Sequence, residues 1–294
     1  MTHTMLVNCR HPVLAAPMNR VSNLALALAV TKAGGLASLS LFNYYSTVLD
    51  YNSFKNDLDL FTTEMKHCNL LVSMGPREFF DHEIIDILIS RKVAVVELLE
   101  HISEELLDKL QKQITQLRSN GVKVLMKVFT PRVLLDVDGI ILKGPDGAGR
   151  ANLEKGTLQE LFIKTKRKYP EHFIIVSGGI ATGQQIKEYL ALGADMVAVG
   201  TVFAVTNESP ISSESKQAMV DSNAEMLSRF SGTNQLGLVF SHVATDDTNH
   251  TQSLIKGIIS PTEGHIFAGK GIDHITKILS VDAVMKNLTK DLYD

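Results

Sequence analysis

The sequence predicts a (β/α)8 TIM barrel with a small, mostly helical insertion after strand eight, and three observations lead there. Eight short runs are continuously apolar: VLAAPM (13–18), LASLSLF (36–42), NLLVSM (69–74), VAVVELL (93–99), VKVLMKVF (122–129), GIILKG (139–144), FIIVSGG (173–179) and MVAVGTVF (196–203). Strands buried on both faces read this way, because helices cover a parallel sheet from outside. Helical spacing fills most of the intervals, and 294 residues is an ordinary length for one such barrel.

Taken in order, Ser22 is placed to cap a helix over Leu24 to Lys32 that stops at Gly34-Gly35. Phe79 to Arg91 has helical spacing, and Ser103 with Glu105 opens an amphipathic helix ending near Asn120-Gly121. Leu153 to Lys168 and Gly183 to Leu192 repeat the pattern. Only Thr130 to Asp138 separates strands five and six, room for a stunted helix at best. After strand eight, Pro210 to Phe230 reads as helical and Gly232 to Gly264 as polar and irregular. The expected division is a barrel over 1–206 and 265–294, with 207–264 as an insertion or lid whose Thr/Asn/His-rich stretch, 241–253, reads as a mobile cover, a plain linker being the alternative.

Composition excludes several functions. A net charge of −3 from 29 basic and 32 acidic residues leaves no cationic face for nucleic acid or anionic lipid. No apolar run is long enough to cross a bilayer, and MTHTMLVNCRHP lacks the basic and apolar regions of a signal peptide, so a cytoplasmic protein is expected. Cys9 and Cys68 have no partnering pattern and read as buried small hydrophobes, and the ten histidines show no metal-binding spacing.

The chemistry lies at the strand ends. Gly178-Gly179 closes strand seven and Gly200-Thr201 closes strand eight, where barrels of this type commonly hold a phosphate on bare main chain. Tight turns alone would also use such glycines, but two pairs on adjacent strand ends favour an anion. That phosphate could belong to a sugar or to a flavin mononucleotide. AAPMN (15–19) ends strand one with small residues against which a flat ring could lie, although a proline can simply stop a strand. Asn69 opens strand three. Lys127 closes strand five, where a buried ammonium needs either a flavin edge, a phosphate or an internal salt bridge.

Together these stretches resemble the nitronate monooxygenase family of FMN-dependent barrels, which includes flavin enoyl reductases. The resemblance runs through HPVLAAPMNRVSNLALALAVTKAGGLASL (11–39), NLLV (69–72), GVKVLMKVFT (121–130), KGPDGAGR (143–150) and VSGGIATGQQIKEYLALGADMVAVGTVFAVTNESP (176–210), with IFAGKGI (266–272) a weaker echo. It implies that Ala16, Pro17, Met18 and Asn69 line the isoalloxazine and that Lys127 reaches the flavin. Ser177, Gly178, Gly179, Gly200 and Thr201 would then hold the FMN phosphate.

One position departs from the family. Where KGPDGAGR aligns with a run ending in the family's proton-transferring histidine, this chain has Arg150. Arginine stays protonated and cannot accept a proton from carbon. Either Arg150 binds an anionic substrate through its fork, or another residue moves the proton, with His265 the first candidate; a solvated loop cation and a structural histidine are the plainer alternatives. Lys143 adds a second cation beside Arg150 and favours a carboxylate- or phosphate-bearing substrate. The expected protein is therefore an FMN-dependent oxidoreductase acting on a small or acyl substrate, with O2 or NAD(P)H as redox partner and a homodimer left open. A phosphate-binding lyase or isomerase without flavin, and a flavin-binding protein without turnover, are the rivals.

Overall fold

The computed structural model describes residues 7–99, 104–150, 156–229, 235–239 and 250–293. Eight parallel strands form the central sheet: β1 (Val13–Ala15), β2 (Ala37–Ser40), β3 (Leu70–Met74), β4 (Val95–Leu99), β5 (Lys123–Val128), β6 (Gly139–Lys143), β7 (Phe173–Ser177) and β8 (Met196–Val199). Each pairs with its neighbours in sequence order, and β8 pairs with β1. A parallel bridge between Leu14 and Leu36 joins β1 to the start of β2 and closes the ring. All eight apolar runs thus become the eight strands.

Two cores result from the strand pleat. Residues facing outward pack under the helices, while Leu14, Leu36, Leu71, Val95, Leu125, Ile141, Ile175 and Ala198 belong to the separate cluster that fills the barrel. Because side chains on one face recur every second residue, the next inward positions are Ala16, Ser38, Ser73, Glu97, Lys127, Lys143, Ser177 and Gly200. The apolar floor therefore gives way, one step toward the C-terminal end, to a small and polar layer. That step determines where chemistry can occur.

The helices between the strands are α1 (Leu24–Lys32), α2 (Tyr51–Met65), α3 (His82–Ser90), α4 (Leu107–Ser119), α5 (Leu158–Lys168) and α6 (Gly183–Ala191), and all but α2 fall where the sequence places a helix. The expected beginnings of α4 at Ser103 and of α5 at Leu153 lie outside the described residues. No helix forms over 130–138. The cap of α1 is Asn23 rather than Ser22: the Asn23 side chain accepts from the Leu26 amide at 3.0 Å. Ser22 instead accepts from the Met18 amide at 2.9 Å, which fixes the loop after β1. Cys68 is buried, Cys9 only partly, and burial raises both thiols to about 11.

After β8 come α7 (Thr201–Ala204), α8 (Ser213–Val220), α9 (His250–Ile259) and α10 (Val281–Thr289). The region expected to be irregular after Gly232 contains both α9 and a strand, Gln235–Val239. This strand pairs antiparallel with Leu227–Arg229, His265–Ile266 and Gly149–Arg150, tying the segment after β8 to the loop after β6. Leu236 and Leu238 are its buried face. Most of the stretch expected to be a mobile cover, 241–249, lies outside the described residues. Among the described residues no helix is long and apolar enough to cross a membrane.

Candidate active site

A cavity of about 390 Å³ opens over the C-terminal ends of the barrel strands, within the usual range for a site that takes a cofactor or small ligand. Its base is the polar layer: Ala16, Ser73, Lys127, Lys143, Ser177 and Gly200 all line it. Its roof is apolar, with Ile211, Leu254, Ile258, Ile266 and Phe267 facing inward. Residues from the segment after β8 thus complete a cavity that the barrel alone would leave open.

The loop Ala16–Met18 forms one wall and is held from behind. Ser38 donates to the Ala15 carbonyl at 2.7 Å, and Asn43 donates to the Ser22 carbonyl at 2.6 Å. Buried serines and an asparagine thus spend their polarity on main chain, leaving a flat, small-residue surface toward the cavity.

The glycines divide by physical cause. Gly178 and Gly179 have φ of +112° and +78°, a region costly for any residue with a Cβ. A Cβ on Gly179 would lie 2.8 Å from Asp146 Cβ, and one on Gly178 would lie 3.1 Å from the Gly144 main chain. The loop after β6 therefore already requires both glycines. Gly200 is different: its φ is −110°, and a Cβ there would find nothing nearer than Ala16 Cβ at 3.7 Å and Met18 Sδ at 3.9 Å. Neither strain nor clash demands a glycine at 200, and the space it leaves belongs to the cavity. Among the described residues, the amides of Gly178, Gly179 and Gly200 have no backbone acceptor, and all three residues line the cavity, which leaves these donors available to an anion. Thr201 lines the cavity too, and its hydroxyl accepts from the Gly269 amide at 3.0 Å.

Positive charge is concentrated on the adjoining strands β5 and β6 and the loop after β6, with Lys143 the cross-strand neighbour of Ser177. Lys127 pairs with Glu97, which is wholly buried in β4. Neighbouring Lys143 donates to the Ala148 carbonyl. Burial first, and then Lys127 and Arg150, push the Lys143 ammonium down to about 7, with Glu97 opposing. Arg150 is exposed at the rim of the same cavity.

Of the residues singled out by sequence, Ala16, Pro17, Met18, Lys127, Arg150, Ser177, Gly178, Gly179, Gly200 and Thr201 converge on this cavity. Asn69 does not. It precedes β3, so it lies at the N-terminal end of the barrel, where its side chain donates to the Asn8 carbonyl at 2.5 Å; the residue β3 sends to the cavity is Ser73. His265 is also set apart. The residue is 4% exposed, its ring hydrogen-bonded through Nδ1 to Ser253 at 2.9 Å and packed on Phe267, while the next residue, Ile266, lines the cavity. The α9 backbone presses on this strand so closely that a Cβ on Gly257 would overlap the His265 carbonyl. We expect His265→Ala to lower stability by roughly 2 kcal/mol through loss of a buried, bonded side chain, read from the denaturation midpoint. Glu97 was missed, although its signal was present: a carboxylate inside VAVVELL, in phase with the inward positions.

A closed parallel barrel whose C-terminal mouth gathers unpartnered strand-end amides and cations in one cavity has the layout of a (β/α)8 enzyme. The family model described as nitronate monooxygenase matches residues 85–291, and the chain belongs to that family, an oxidoreductase family that uses flavin. Curated relatives include a probable nitronate monooxygenase of Staphylococcus saprophyticus and a nitronate monooxygenase of Pseudomonas aeruginosa, each 24% identical over 74% of this chain and 72% of the relative. A third is the (3aS,4S,5R,7aS)-5-hydroxy-7a-methyl-1-oxo-octahydro-1H-indene-4-carboxyl-CoA dehydrogenase of Rhodococcus jostii, 26% identical over 71% of this chain; the match spans 56% of that protein's length. Among solved structures, FabK from Thermotoga maritima superposes with a TM-score of 0.80 at 22% identity, covering 97% of this chain and 93% of the other. A nitroalkane oxidase from Streptomyces ansochromogenes gives 0.77 at 18% identity, covering 97% and 96%. These two likenesses bear on the fold.

Proposed function

We propose that this chain is an FMN-dependent oxidoreductase that oxidises a small anionic substrate of the nitronate class, with O2 as electron acceptor. The observation that carries this reading is the meeting, in one cavity, of strand-end amides at Gly178, Gly179 and Gly200 with the cationic side chains of Lys127, Lys143 and Arg150. The strand-end amides suit a phosphate, while Ala16 to Met18 form the wall against which the ring would lie. When bound, FMN supplies the two-electron chemistry that no side chain here provides.

The protein's own residues do the rest. Arg150, charged at every working pH, holds the anionic end of the substrate through its planar fork. The roof built from Ile211, Leu254, Ile258 and Phe267 keeps water from the reacting carbon, and the segment 207–264 acts as the cover that carries most of it. The same apolar roof supports a second reading, in which an acyl chain lies under it and the enzyme reduces an enoyl thioester with NAD(P)H.

The purified protein tests both. Yellow protein that releases FMN by mass and consumes O2 with a ready-made nitronate supports the first. Flavin that bleaches with NAD(P)H and is reoxidised by an enoyl thioester supports the second, and protein that neither carries nor takes up flavin defeats both. For Arg150→Ala we expect unchanged flavin content and a KM for nitronate raised about 10- to 100-fold, the value of one charge-assisted contact; steady-state kinetics beside the flavin spectrum check it.

A further inference from the structure

We infer that Gln235 is a specificity-determining residue of this cavity: its side-chain amide takes a hydroxyl that the substrate carries close to its anionic group. This rests on the anionic substrate proposed above and narrows it to a hydroxylated one, leaving the redox chemistry as it stands.

The strand register sets two recognition groups side by side. Gln235 opens the short strand Gln235–Val239 and is the direct antiparallel partner of Arg150, with Leu236 opposite Gly149. Directly opposite residues point to the same face of a sheet, their Cβ atoms about 5 Å apart. Gln235 and Arg150 both line the main cavity, whereas Leu236 and its partner Arg229 line a second cavity, as alternation along a strand requires. One face of the small sheet therefore offers a guanidinium and an amide to the same space.

The amide is out of place unless something binds it. The roof residues Ile211, Leu254, Ile258, Ile266 and Phe267 are apolar, and Gln235 brings a hydrogen-bonding side chain among them. Its Oε1 is buried and accepts no hydrogen bond. The Arg150 guanidinium, a donor on the facing residue, is exposed at the rim and leaves Oε1 unbonded. An apolar side chain of the same length would fill this part of the roof without stranding an acceptor, and a ligand hydrogen bond is what offsets that loss.

The surroundings define the partner's chemistry. A terminal amide turns easily about χ3 and offers both an acceptor and donors. An ammonium would satisfy the acceptor but would meet Lys127, Lys143 and Arg150 in the same cavity. A phosphate dianion presents acceptors alone and cannot answer Oε1. A hydroxyl is neutral and both donates and accepts, so it matches either end of the amide. Held about 5 Å from the anion-binding fork, it lies roughly two or three bonds from the charged group.

Two isosteric pairs that differ by hydroxyl for methyl test this. 3-Hydroxypropanoate and butanoate are titrated by calorimetry into the protein as purified, and the nitronates of 2-nitroethanol and 1-nitropropane are compared by kcat/KM. We expect the parent to favour the hydroxylated member of each pair by about 10-fold or more, since its absence leaves a buried acceptor unpaired. Gln235→Met should bring the preference to within about twofold, chiefly by losing affinity for the hydroxylated member. Gln235→Glu keeps an acceptor and adds a negative charge. It should bind both pairs less well yet retain the preference, a rescue that a merely structural role would not give. An amide kept for a ligand also lowers the stability of the empty protein, so ligand-free Gln235→Met should melt higher than the parent by roughly 2 °C.

A parent without preference, a methionine variant that keeps the preference, or one that melts lower than the parent would each overturn the inference. So would a methionine variant whose flavin affinity falls about tenfold with the preference intact, because the amide would then serve the cofactor. Failure of the function proposed above looks different, since the carboxylate titrations need no turnover. A protein that oxidises neither nitronate loses that function while a hydroxyl preference among the carboxylates stands. Equal oxidation of both nitronates, with no difference between the carboxylates, keeps the function and removes this inference.

Discussion

Gly200→Val should yield a colourless protein that still folds. The glycine at 200 is free of both reasons that force glycine elsewhere: its φ of −110° is open to any residue, and the nearest atoms to a Cβ would be Ala16 Cβ at 3.7 Å and Met18 Sδ at 3.9 Å. Two branched methyls placed there enter the cavity where bare main chain would meet the phosphate. A bound anion loses its close approach, and affinity falls by a factor on the order of 100 or more as two or three amide hydrogen bonds are forfeited. Gly179→Val would be a poorer test. At φ +78° with Asp146 Cβ 2.8 Å from the new atom, that variant must strain its backbone and push aside the loop after β6. Loss of colour there would report a damaged loop as readily as a blocked phosphate. The measurement for Gly200→Val is flavin absorbance at matched protein concentration, with circular dichroism and the thermal midpoint compared with those of flavin-stripped parent. A yellow Gly200→Val protein would place the phosphate somewhere other than the β7 and β8 strand ends.

How far the sequence reaches is visible in the strand phase. Each barrel strand is one apolar run because both of its faces are buried, so the eight strands could be found by hydropathy alone. The same runs also encode the depth of the site: two residues after Leu71, Val95, Leu125, Ile141 and Ile175 come Ser73, Glu97, Lys127, Lys143 and Ser177. Strand direction alone would have kept Asn69 out of the site, since a residue that opens a parallel strand lies at the end opposite the cavity. Its inclusion came from the family likeness, which does not carry that geometry. The small sheet was illegible because its strands are two to five residues long and lie far apart in the chain, Gly149–Arg150 pairing with Gln235–Val239; pattern has no length over which to show itself. The different causes behind Gly179 and Gly200 could not be read either, because φ and the neighbour of an absent Cβ are properties of the fold.

Lys127→Met should be among the most destabilising single changes in the barrel. Glu97 is wholly buried, and the Lys127 ammonium, itself 12% exposed, is its ion-pair partner. Removing the cation leaves the buried carboxylate without its ion-pair partner, a loss of about 3–5 kcal/mol when one member of a buried pair is deleted. For a chain of this size that amounts to a fall in the thermal midpoint on the order of 10 °C. Glu97→Leu/Lys127→Met should recover most of the loss, because a buried pair contributes little more than well-packed apolar groups of similar volume. The double variant then separates stability from function. With the fold restored and the Lys127 charge still absent, flavin binding should remain weaker than in the parent if that ammonium serves the cofactor as well as Glu97. A double variant as stable and as yellow as the parent would show that Lys127 is there for Glu97 alone. A Lys127→Met protein with an unchanged midpoint would mean that the pair is not the buried contact described here. Thermal denaturation and flavin titration of the two variants side by side resolve these outcomes, and the order of the midpoints, parent near double and single far below, is the expected result.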